Sequence, residues 1–439
     1  MKMQNKVEQW VEKNRDSMIK DIVNLVNIKS VKGEKEGIYT FGEGVGNALE
    51  TALEIAGNAG FDTWNEDYYY GLVTLPGKTS EKIGIFTHLD VVPEGSGWQY
   101  APYRAVVKDG YIIGRGSGDN KGPAMAALYA LRYLKEQQIQ LNKTIELYFG
   151  CAEEQGMEDI AYYKEHCDLP LFSFTPDVAF PVSYAEKGIL ELCVKTDFSS
   201  EVLMELEGGY AENMVAPEAK AVLNDKTVLK AVGIGKHAAF PEGSENAIFK
   251  LCKELLQIEE LEPEAREKIK IISETLQDYY GESLGIPYED CVTGKLTHTC
   301  GIAKIRNGEL EANYNIRYPV QIPAEEMKTR LRERFEKNGF RIMKLYDNPP
   351  AFVSPDSKAV EELNAICNRV LGTELKPYTM GGGTYARKLP NAVGYGPGRN
   401  DHPVQWGNGH EPDECVRISD LEHAVRIYVE ALIKLDQII

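Results

Sequence analysis

The sequence lacks a long hydrophobic run. No stretch of its 439 residues approaches the roughly 20 consecutive apolar residues that a helix needs to cross a bilayer. The first residues lead into an amphipathic pattern, which differs from the apolar core of a signal peptide. We therefore expect a cytoplasmic protein that does not associate with membranes.

Paired cysteines are also lacking, because the eight cysteines are scattered singly and no two are spaced as C-x-x-C. Closely spaced pairs hold structural zinc, and disulfide frameworks stabilise small secreted domains. Neither feature is predicted here. A reducing compartment fits this usage of cysteine.

Positive charge is in deficit, since 49 Lys and Arg face 67 Asp and Glu for a formal net charge of −18. A surface this acidic repels phosphate backbones and anionic lipids, which excludes nucleic acid and membrane surfaces as partners. With 43% apolar and 26% charged residues, the composition is that of a globular protein. These values fit a protein that acts on small molecules.

The first part of the chain has an α/β pattern. Apolar runs at 83–87 and 144–149 predict buried strands, and a helix predicted to begin at Pro123 lies between them. A strand, a helix and a strand at this spacing indicate a parallel sheet with helices on its faces.

The pattern changes after about residue 187. Alternating strands, such as 189–194 and 312–318, interleave with helices near 246–258 and 324–338, which predicts an antiparallel α+β domain. The acidic segment 259–288 is predicted to be a helical insertion. We therefore predict an α/β domain in two parts, with a second domain inserted between them. The predicted bounds are 1–187 and 348–439 for the α/β domain, and 188–347 for the inserted domain.

Candidate chemistry begins at the end of the first predicted strand, with His88 and Asp90. Ligands of open α/β sheets bind beyond the carboxyl ends of strands, and residues two apart in an extended segment point the same way. One of the pair could bind a metal while the other holds it from behind. Taken alone, His88 could equally be a hydrogen-bonded loop histidine.

Two further clusters have the same character. A glycine-rich loop at 114–122 presents Asp119 just before the predicted helix, and Glu153 and Glu154 follow the 144–149 strand. The loop could instead be a turn with a capping aspartate, and the glutamates a solvated turn. A dinucleotide site is disfavoured because no strand precedes the glycines and Asp119 would repel a pyrophosphate.

Asp177 follows another apolar run, and His410 lies in a glycine-rich stretch near the chain end. Each is weak alone. Together with the earlier clusters they form an ordered series of histidine, aspartate, paired glutamates, aspartate and histidine.

This series resembles the co-catalytic two-metal peptidases that include carnosinase, carboxypeptidase G and PepV-type dipeptidases. The segments 176–182, 185–188 and 381–385 resemble motifs of the PepV-type branch. The resemblance covers nearly the whole chain. It implies a zinc-peptidase-like α/β catalytic domain, with a mixed central sheet and helices on both faces, and an inserted α+β lid domain.

The resemblance also implies a metal centre with two divalent ions, zinc first, with manganese or cobalt as alternatives. It implies that Asp119 bridges the two ions. His88 and Asp177 would complete one site, and Glu154 and His410 the other. Imidazole and carboxylate ligands suit these metals.

Two further roles are implied beside the metals. Asp90 would orient His88, and Glu153 would be the general base. The peptide bond between Asp119 and Asn120 would be cis.

The inserted domain has candidates of its own. The resemblance implies that His237 polarises the scissile carbonyl, and that Asn213 and Arg317 bind an oxyanion or a carboxylate. Backbone N–H groups of Gly382, Gly383 and Thr384 would bind a substrate carboxylate. The ordinary alternatives are a turn histidine, a strand cation and a plain loop. The remaining histidines match no ligand position.

We therefore predict a metal-dependent dipeptidase that hydrolyses the amide bond of short peptides through a metal-bridged water. An N-acyl amino acid deacylase with the same metal centre stays open, as does a non-catalytic, metal-dependent peptide-binding protein. A monomer is expected, with a homodimer as the alternative.

Overall fold

The structure is a computed structural model that describes the backbone of residues 2–439 and the side chains from Asn5 onward. The chain forms two compact units. The first contains the chain up to Tyr184 together with Phe352–Tyr378 and Gly383–Ile439, and the second contains Ala185–Ala351 and Thr379–Gly382. The domain bounds predicted from the sequence stay a prediction.

The helices of the described residues are α1 (Lys2–Val26), α2 (Glu43–Asn58), α3 (Lys121–Glu136), α4 (Glu158–His166), α5 (Ala247–Leu255), α6 (Pro263–Thr275), α7 (Ala324–Lys337), α8 (Lys358–Leu371) and α9 (Ile418–Ile438), with a 3-10 helix at Tyr385–Lys388.

The strands are β1 (Asp62–Glu66), β2 (Tyr70–Leu75), β3 (Lys82–His88), β4 (Val106–Lys108), β5 (Tyr111–Ile113), β6 (Thr144–Gly150), β7 (Phe172–Thr175), β8 (Val178–Phe180), β9 (Ser183–Glu186), β10 (Gly188–Asp197), β11 (Leu203–Gly208), β12 (Glu218–Leu223), β13 (Val228–Val232), β14 (Glu289–Asp290), β15 (Gly294–Lys295), β16 (Thr297–Arg306), β17 (Glu309–Tyr318), β18 (Arg341–Asn348), β19 (Ala351–Phe352), β20 (Tyr378–Met380), β21 (Ala392–Gly394), β22 (Pro397–Arg399) and β23 (Cys415–Arg417).

A mixed sheet forms the centre of the first unit, with the order β1-β2-β6-β3-β7-β21-β9. The neighbours β6, β3, β7 and β21 run parallel, whereas β1 and β2 add antiparallel strands at one side. In the register, Ile83 pairs with Ile145 and Ile85 with Leu147. These strands are near-continuous apolar runs because both faces of the sheet are covered.

The side chains of β3 and β6 alternate between two apolar clusters. Ile85 and Leu147 join the cluster formed with α1, α2, α3, α8 and α9, while Phe86 and Tyr148 join the cluster formed with α4 and the 3-10 helix. Helices therefore cover both faces of a mixed sheet, which confirms the predicted fold of this unit.

Helix α3 begins at Lys121, two residues before the predicted start at Pro123. The proline still lies in the first turn, where a backbone N–H has no acceptor inside the helix. The inner face of the helix, including Met125, Leu128 and Leu131, is buried as the spacing predicted. The helix packs against α9, α1 and β3.

An antiparallel sheet forms the second unit, with the order β13-β12-β11-β16-β17-β10-β18. Every neighbouring pair is antiparallel. Buried residues of α5, α6 and α7 pack against apolar residues of this sheet in one cluster. The predicted α+β architecture is confirmed.

The acidic segment 259–288 is helical only in part. Helix α6 occupies Pro263–Thr275, and the residues that follow are irregular. Ile269 and Ile272 bury one face of the helix, while the carboxylate of Asp278 accepts hydrogen bonds from the N–H groups of Tyr280 and Ser283. A carboxylate that satisfies turn amides favours a turn over a longer helix. In the described part of the chain, no helix has the length and apolarity required to span a membrane.

Candidate metal centre

Three parallel strands of the first unit end at the same edge of the sheet. Strand β3 ends at His88, and the loops that follow β6 and β7 carry Glu153, Glu154 and Asp177. Because the three strands run parallel, their carboxyl ends and the side chains that follow them lie together.

Asp119 lies between two histidines. Its Oδ1 is 3.0 Å from Nε2 of His88, and its Oδ2 is 3.2 Å from Nε2 of His410. The loop that carries Asp119 precedes α3, and His410 lies between β22 and β23. A carboxylate that turns one oxygen to each of two imidazoles is suited to bridging two cations.

Each histidine also faces a second carboxylate. Nε2 of His88 is 3.7 Å from Oδ1 of Asp177, and Nε2 of His410 is 3.0 Å from Oε2 of Glu154. Ligand atoms of His88, Asp119 and Glu154 all lie within 4.8 Å of one another. The five predicted ligands therefore converge in the first unit.

The residues present fit divalent metal ions. Burial raises the pKa of Glu154 to about 7 and that of Asp177 to about 6, because several carboxylates are crowded where water is scarce. A divalent cation would relieve this repulsion. Imidazole nitrogen with carboxylate oxygen is a donor set of zinc, manganese and cobalt.

Asp90 lies behind the ligands and is fully buried. Its Oδ1 accepts the N–H of Glu153 and its Oδ2 that of Glu154, each at 3.1 Å. Its Oδ1 is also 3.5 Å from Nδ1 of His88, and its backbone carbonyl oxygen is 2.9 Å from the same nitrogen. The Asp90 side chain thus holds the loop that carries the two glutamates, and the same residue also contacts His88.

Glu153 differs from its neighbour. It is 9% exposed, and its Oε1 has no hydrogen-bond partner among the described residues. Burial raises the pKa of its carboxyl group well above the usual range. Ligand atoms of Glu153, His88 and Asp177 lie within 4.8 Å of one another, so this carboxyl group borders the candidate metal centre.

Comparison with known proteins shows the family. Residues 84–434 match the family model described as peptidase family M20/M25/M40. The chain belongs to this peptidase family. It is therefore a metallopeptidase, a hydrolase that acts on peptide bonds.

Relatives of this M20 peptidase match nearly its whole length. The Bacillus subtilis (strain 168) protein named "Putative dipeptidase YtjP" is 32% identical over 467 aligned positions, which cover 97% of this chain and 98% of the relative. Among solved structures, the di-peptidase Dug1p from Saccharomyces cerevisiae has a TM-score of 0.64 at 12% identity and covers 99% of this chain and 98% of that chain. Human carnosine dipeptidase 1 has a TM-score of 0.63 at 14% identity, with 99% of each chain covered. At these identities the two structures show the fold alone.

The M20 peptidase also contains supporting residues for which the sequence predicted no role. Asn120 is fully buried, and its Nδ2 donates to Oδ1 of Asp177 at 2.8 Å. Asp159 accepts the N–H groups of Cys151 and Ala152, at 2.7 and 3.0 Å, in the turn before the glutamates. The hydroxyl of Tyr385 donates to the same carboxylate. The sequence offered one signal for Asn120 and Asp159, namely that both are polar residues close to candidate ligands in the chain.

The peptide bond between Asp119 and Asn120 is cis, as the resemblance implied. In the second unit, the N–H of Ala238 donates to the carbonyl of Asn213 at 2.8 Å, so the backbone segments that carry Asn213 and His237 lie side by side.

Arg317, also in the second unit, is 5% exposed. Its Nη1 donates to the carbonyl of Gly381 at 3.1 Å, and its Nε donates to Oδ1 of Asn315 at 2.7 Å. The arginine therefore lies beside the start of the predicted glycine loop. Gly382 follows in the second unit, whereas Gly383 and Thr384 belong to the first. The Thr384 hydroxyl accepts the N–H of Ala386 and caps the 3-10 helix.

Proposed function

We propose that this M20 peptidase is a dipeptidase that uses two divalent metal ions to hydrolyse the amide bond of short peptides. The observation that carries the proposal is the position of Asp119, whose two carboxylate oxygens face His88 and His410 at 3.0 and 3.2 Å. The names of the full-length relatives support the substrate class.

We assign the five ligands to two positions. The first metal position comprises His88, Asp119 and Asp177, and the second comprises Asp119, Glu154 and His410. Zinc is the proposed metal, with manganese or cobalt as alternatives that accept the same ligands. When bound, two such ions lower the pKa of water between them and stabilise negative charge that develops on the substrate.

Glu153 is the proposed general base. Its carboxylate takes a proton from the attacking water and passes it to the leaving amine, a role that contributes roughly 10²–10⁴-fold to the rate. The unpartnered Oε1 supports this role, because that oxygen has no competing hydrogen bond within the described structure. Asp90 is proposed to hold His88 and the glutamate loop in place.

Residues of the second unit, and Gly383 and Thr384 of the first, are proposed to bind substrate. We assign polarisation of the scissile carbonyl to His237, and binding of an oxyanion or carboxylate to Asn213 and Arg317. An arginine fork suits a carboxylate. The N–H groups at Gly382, Gly383 and Thr384 are proposed to bind a terminal carboxylate.

The experiment is hydrolysis of a panel by metal-reconstituted protein. The panel contains free dipeptides, tripeptides and N-acetyl amino acids, each assayed with zinc, manganese or cobalt. We expect cleavage of free dipeptides. Cleavage of the acetylated compounds alone would establish the deacylase instead, and tight binding without turnover would establish a peptide-binding protein.

Glu153→Ala tests the base within the same assay. We expect it to retain both metal ions and to lose turnover by roughly 10²–10⁴-fold. Glu158→Ala, which removes an exposed glutamate nearby, serves as the control and should retain parental activity. A Glu153→Ala variant as active as the parent would refute the assignment.

The predicted monomer is checked by light scattering, and the cytoplasmic location stays a prediction.

A further inference from the structure

A buried carboxylate holds the loop that ends in Asp119. Glu414 is fully buried, and its Oε1 accepts the N–H groups of Gly116 and Gly118 at 3.0 Å and that of Asp119 at 3.1 Å. Three backbone donors therefore converge on one oxygen. Gly116 adopts a φ of +85°, a left-handed conformation that glycine tolerates without strain.

The other oxygen of Glu414 connects this loop to the loop of His410. Nη1 of Arg115 donates to Oε2 of Glu414 at 2.6 Å, and Nη2 of the same guanidinium is 3.3 Å from the carbonyl oxygen of His410. Arg115 is itself 1% exposed. The ion pair of Arg115 and Glu414 therefore connects two loops that lie far apart in the sequence. Glu414 accepts three hydrogen bonds from the loop that ends in Asp119, and Arg115 donates one to the backbone of His410.

The remaining ligands have other supports. His88 is the last residue of a central strand and lies against Asp90, and Asp177 accepts a hydrogen bond from Asn120. Neither support involves Glu414. Of the two metal positions, the second takes two of its three ligands from the loops that Arg115 and Glu414 join, whereas the first takes only Asp119.

We infer that Glu414 and Arg115 are positioning residues that set the metal affinity of the second position, made of Asp119, Glu154 and His410, more strongly than that of the first. The inference rests on the proposed two-metal function. Groups behind metal ligands commonly change metal affinity by about 10–100-fold when they are replaced. The same contacts would also contribute to stability, so a useful test must separate affinity from folding.

The test is titration of the metal-free protein with zinc by calorimetry, and with cobalt by visible absorption. We expect two ions per chain for the parent. For Glu414→Gln we expect the affinity of the second position to fall by about 10–100-fold, while the affinity of the first changes by less than about threefold. Arg115→Lys should also weaken the second position more than the first, because lysine cannot bridge two acceptors in the manner of a guanidinium. Its loss should be smaller than that of Glu414→Gln, since Glu414 can still accept the three backbone N–H groups.

Two further variants show which metal position is weakened and whether the effect is specific to Glu414. His410→Ala lacks a ligand of the second position, so the single ion it retains should have the cobalt spectrum of the ion that Glu414→Gln retains. Asp436→Asn is the matched control, since Asp436 is also a buried carboxylate that accepts the N–H groups of Asn142 and Lys143. Asp436 lies near the end of α9 and contacts the residues that precede β6, at the end of that strand opposite to the metal centre, so Asp436→Asn should leave both affinities unchanged.

Circular dichroism and the melting temperature of each metal-free variant report folding. If folded Glu414→Gln binds both ions as the parent does, or loses affinity equally for both, the inference is wrong. It is also wrong if Asp436→Asn reproduces the division between the ions. A parent that binds fewer than two ions would refute the two-metal proposal itself, and that failure is visible before any variant is compared.

Discussion

The stability of the second unit should depend on pH through His298. This side chain, on β16, is fully buried, and neither ring nitrogen has a hydrogen-bond partner among the described residues. The nearest carboxylate, of Asp278, is 4.0 Å from Nε2. Burial lowers the pKa of His298 to about 4, outweighing the opposing effect of Asp278, and the charge of Arg334 lowers it further.

Proton binding determines the direction in which the free energy of unfolding changes with pH. In the unfolded chain the imidazole binds a proton below about pH 6.5, whereas in the folded protein it stays neutral until about pH 4. The free energy of unfolding is therefore highest above pH 6.5 and falls as the pH is lowered towards 4. The full loss is about 3 kcal/mol, and about 2 kcal/mol is lost by pH 5.

The assay compares metal-free parent and His298→Phe in urea at pH 7.5 and pH 5. The tryptophans lie in the first unit, at positions 10, 64, 98 and 406, so their fluorescence would not follow the second unit. Pulse-labelling hydrogen exchange of β16 and β17 does. All other titrating groups are common to both proteins and cancel in the comparison.

We expect the variant to lose about 2 kcal/mol less than the parent between the two pH values. Its stability at pH 7.5 should be similar or higher, because phenylalanine leaves no buried nitrogen without a hydrogen bond. Equal losses in the two proteins would show that His298 does not stay neutral in the folded state.

Further predictions concern the first unit and the substrate. Asp90→Asn should weaken zinc binding by about 10–100-fold, measured by competition with a chelator; unchanged affinity would show that Asp90 does not orient His88. Phe86→Ala should lower the free energy of unfolding by about 3–5 kcal/mol, because Phe86 is fully buried between the sheet and α4; urea unfolding followed by tryptophan fluorescence measures this loss, and a loss below about 1 kcal/mol would contradict the packing. Removal of metal with EDTA should abolish dipeptide hydrolysis and lower the melting temperature, with both restored by zinc or manganese; activity that persists in metal-free protein would exclude a metal mechanism. His237→Ala should lower kcat more than it raises KM, because the proposed contact strengthens in the transition state; a change in KM alone would indicate ground-state binding.

Much of the fold and the chemistry could be predicted from the sequence. Apolar runs and helical spacing located the central strands and α3, because these patterns depend on which side chains are buried along a short segment. The position of His88 at a strand end, and the glycines before Asp119, likewise indicated where ligands would emerge. Helix α3 begins two residues before the predicted start, since proline is tolerated throughout the first turn of a helix.

Only the tertiary structure decided which atoms meet. Glu154 and His410 are separated by 256 positions in the chain, and Arg115 and Glu414 by 299, yet each pair is in contact. Neither contact can be predicted from a local sequence pattern, because each depends on how the strands pair and how the loops cross the edge of the sheet. The sequence therefore determined the kinds of side chain and their local backbone, while long-range packing alone decided that two histidines face one aspartate and that a buried ion pair joins their loops.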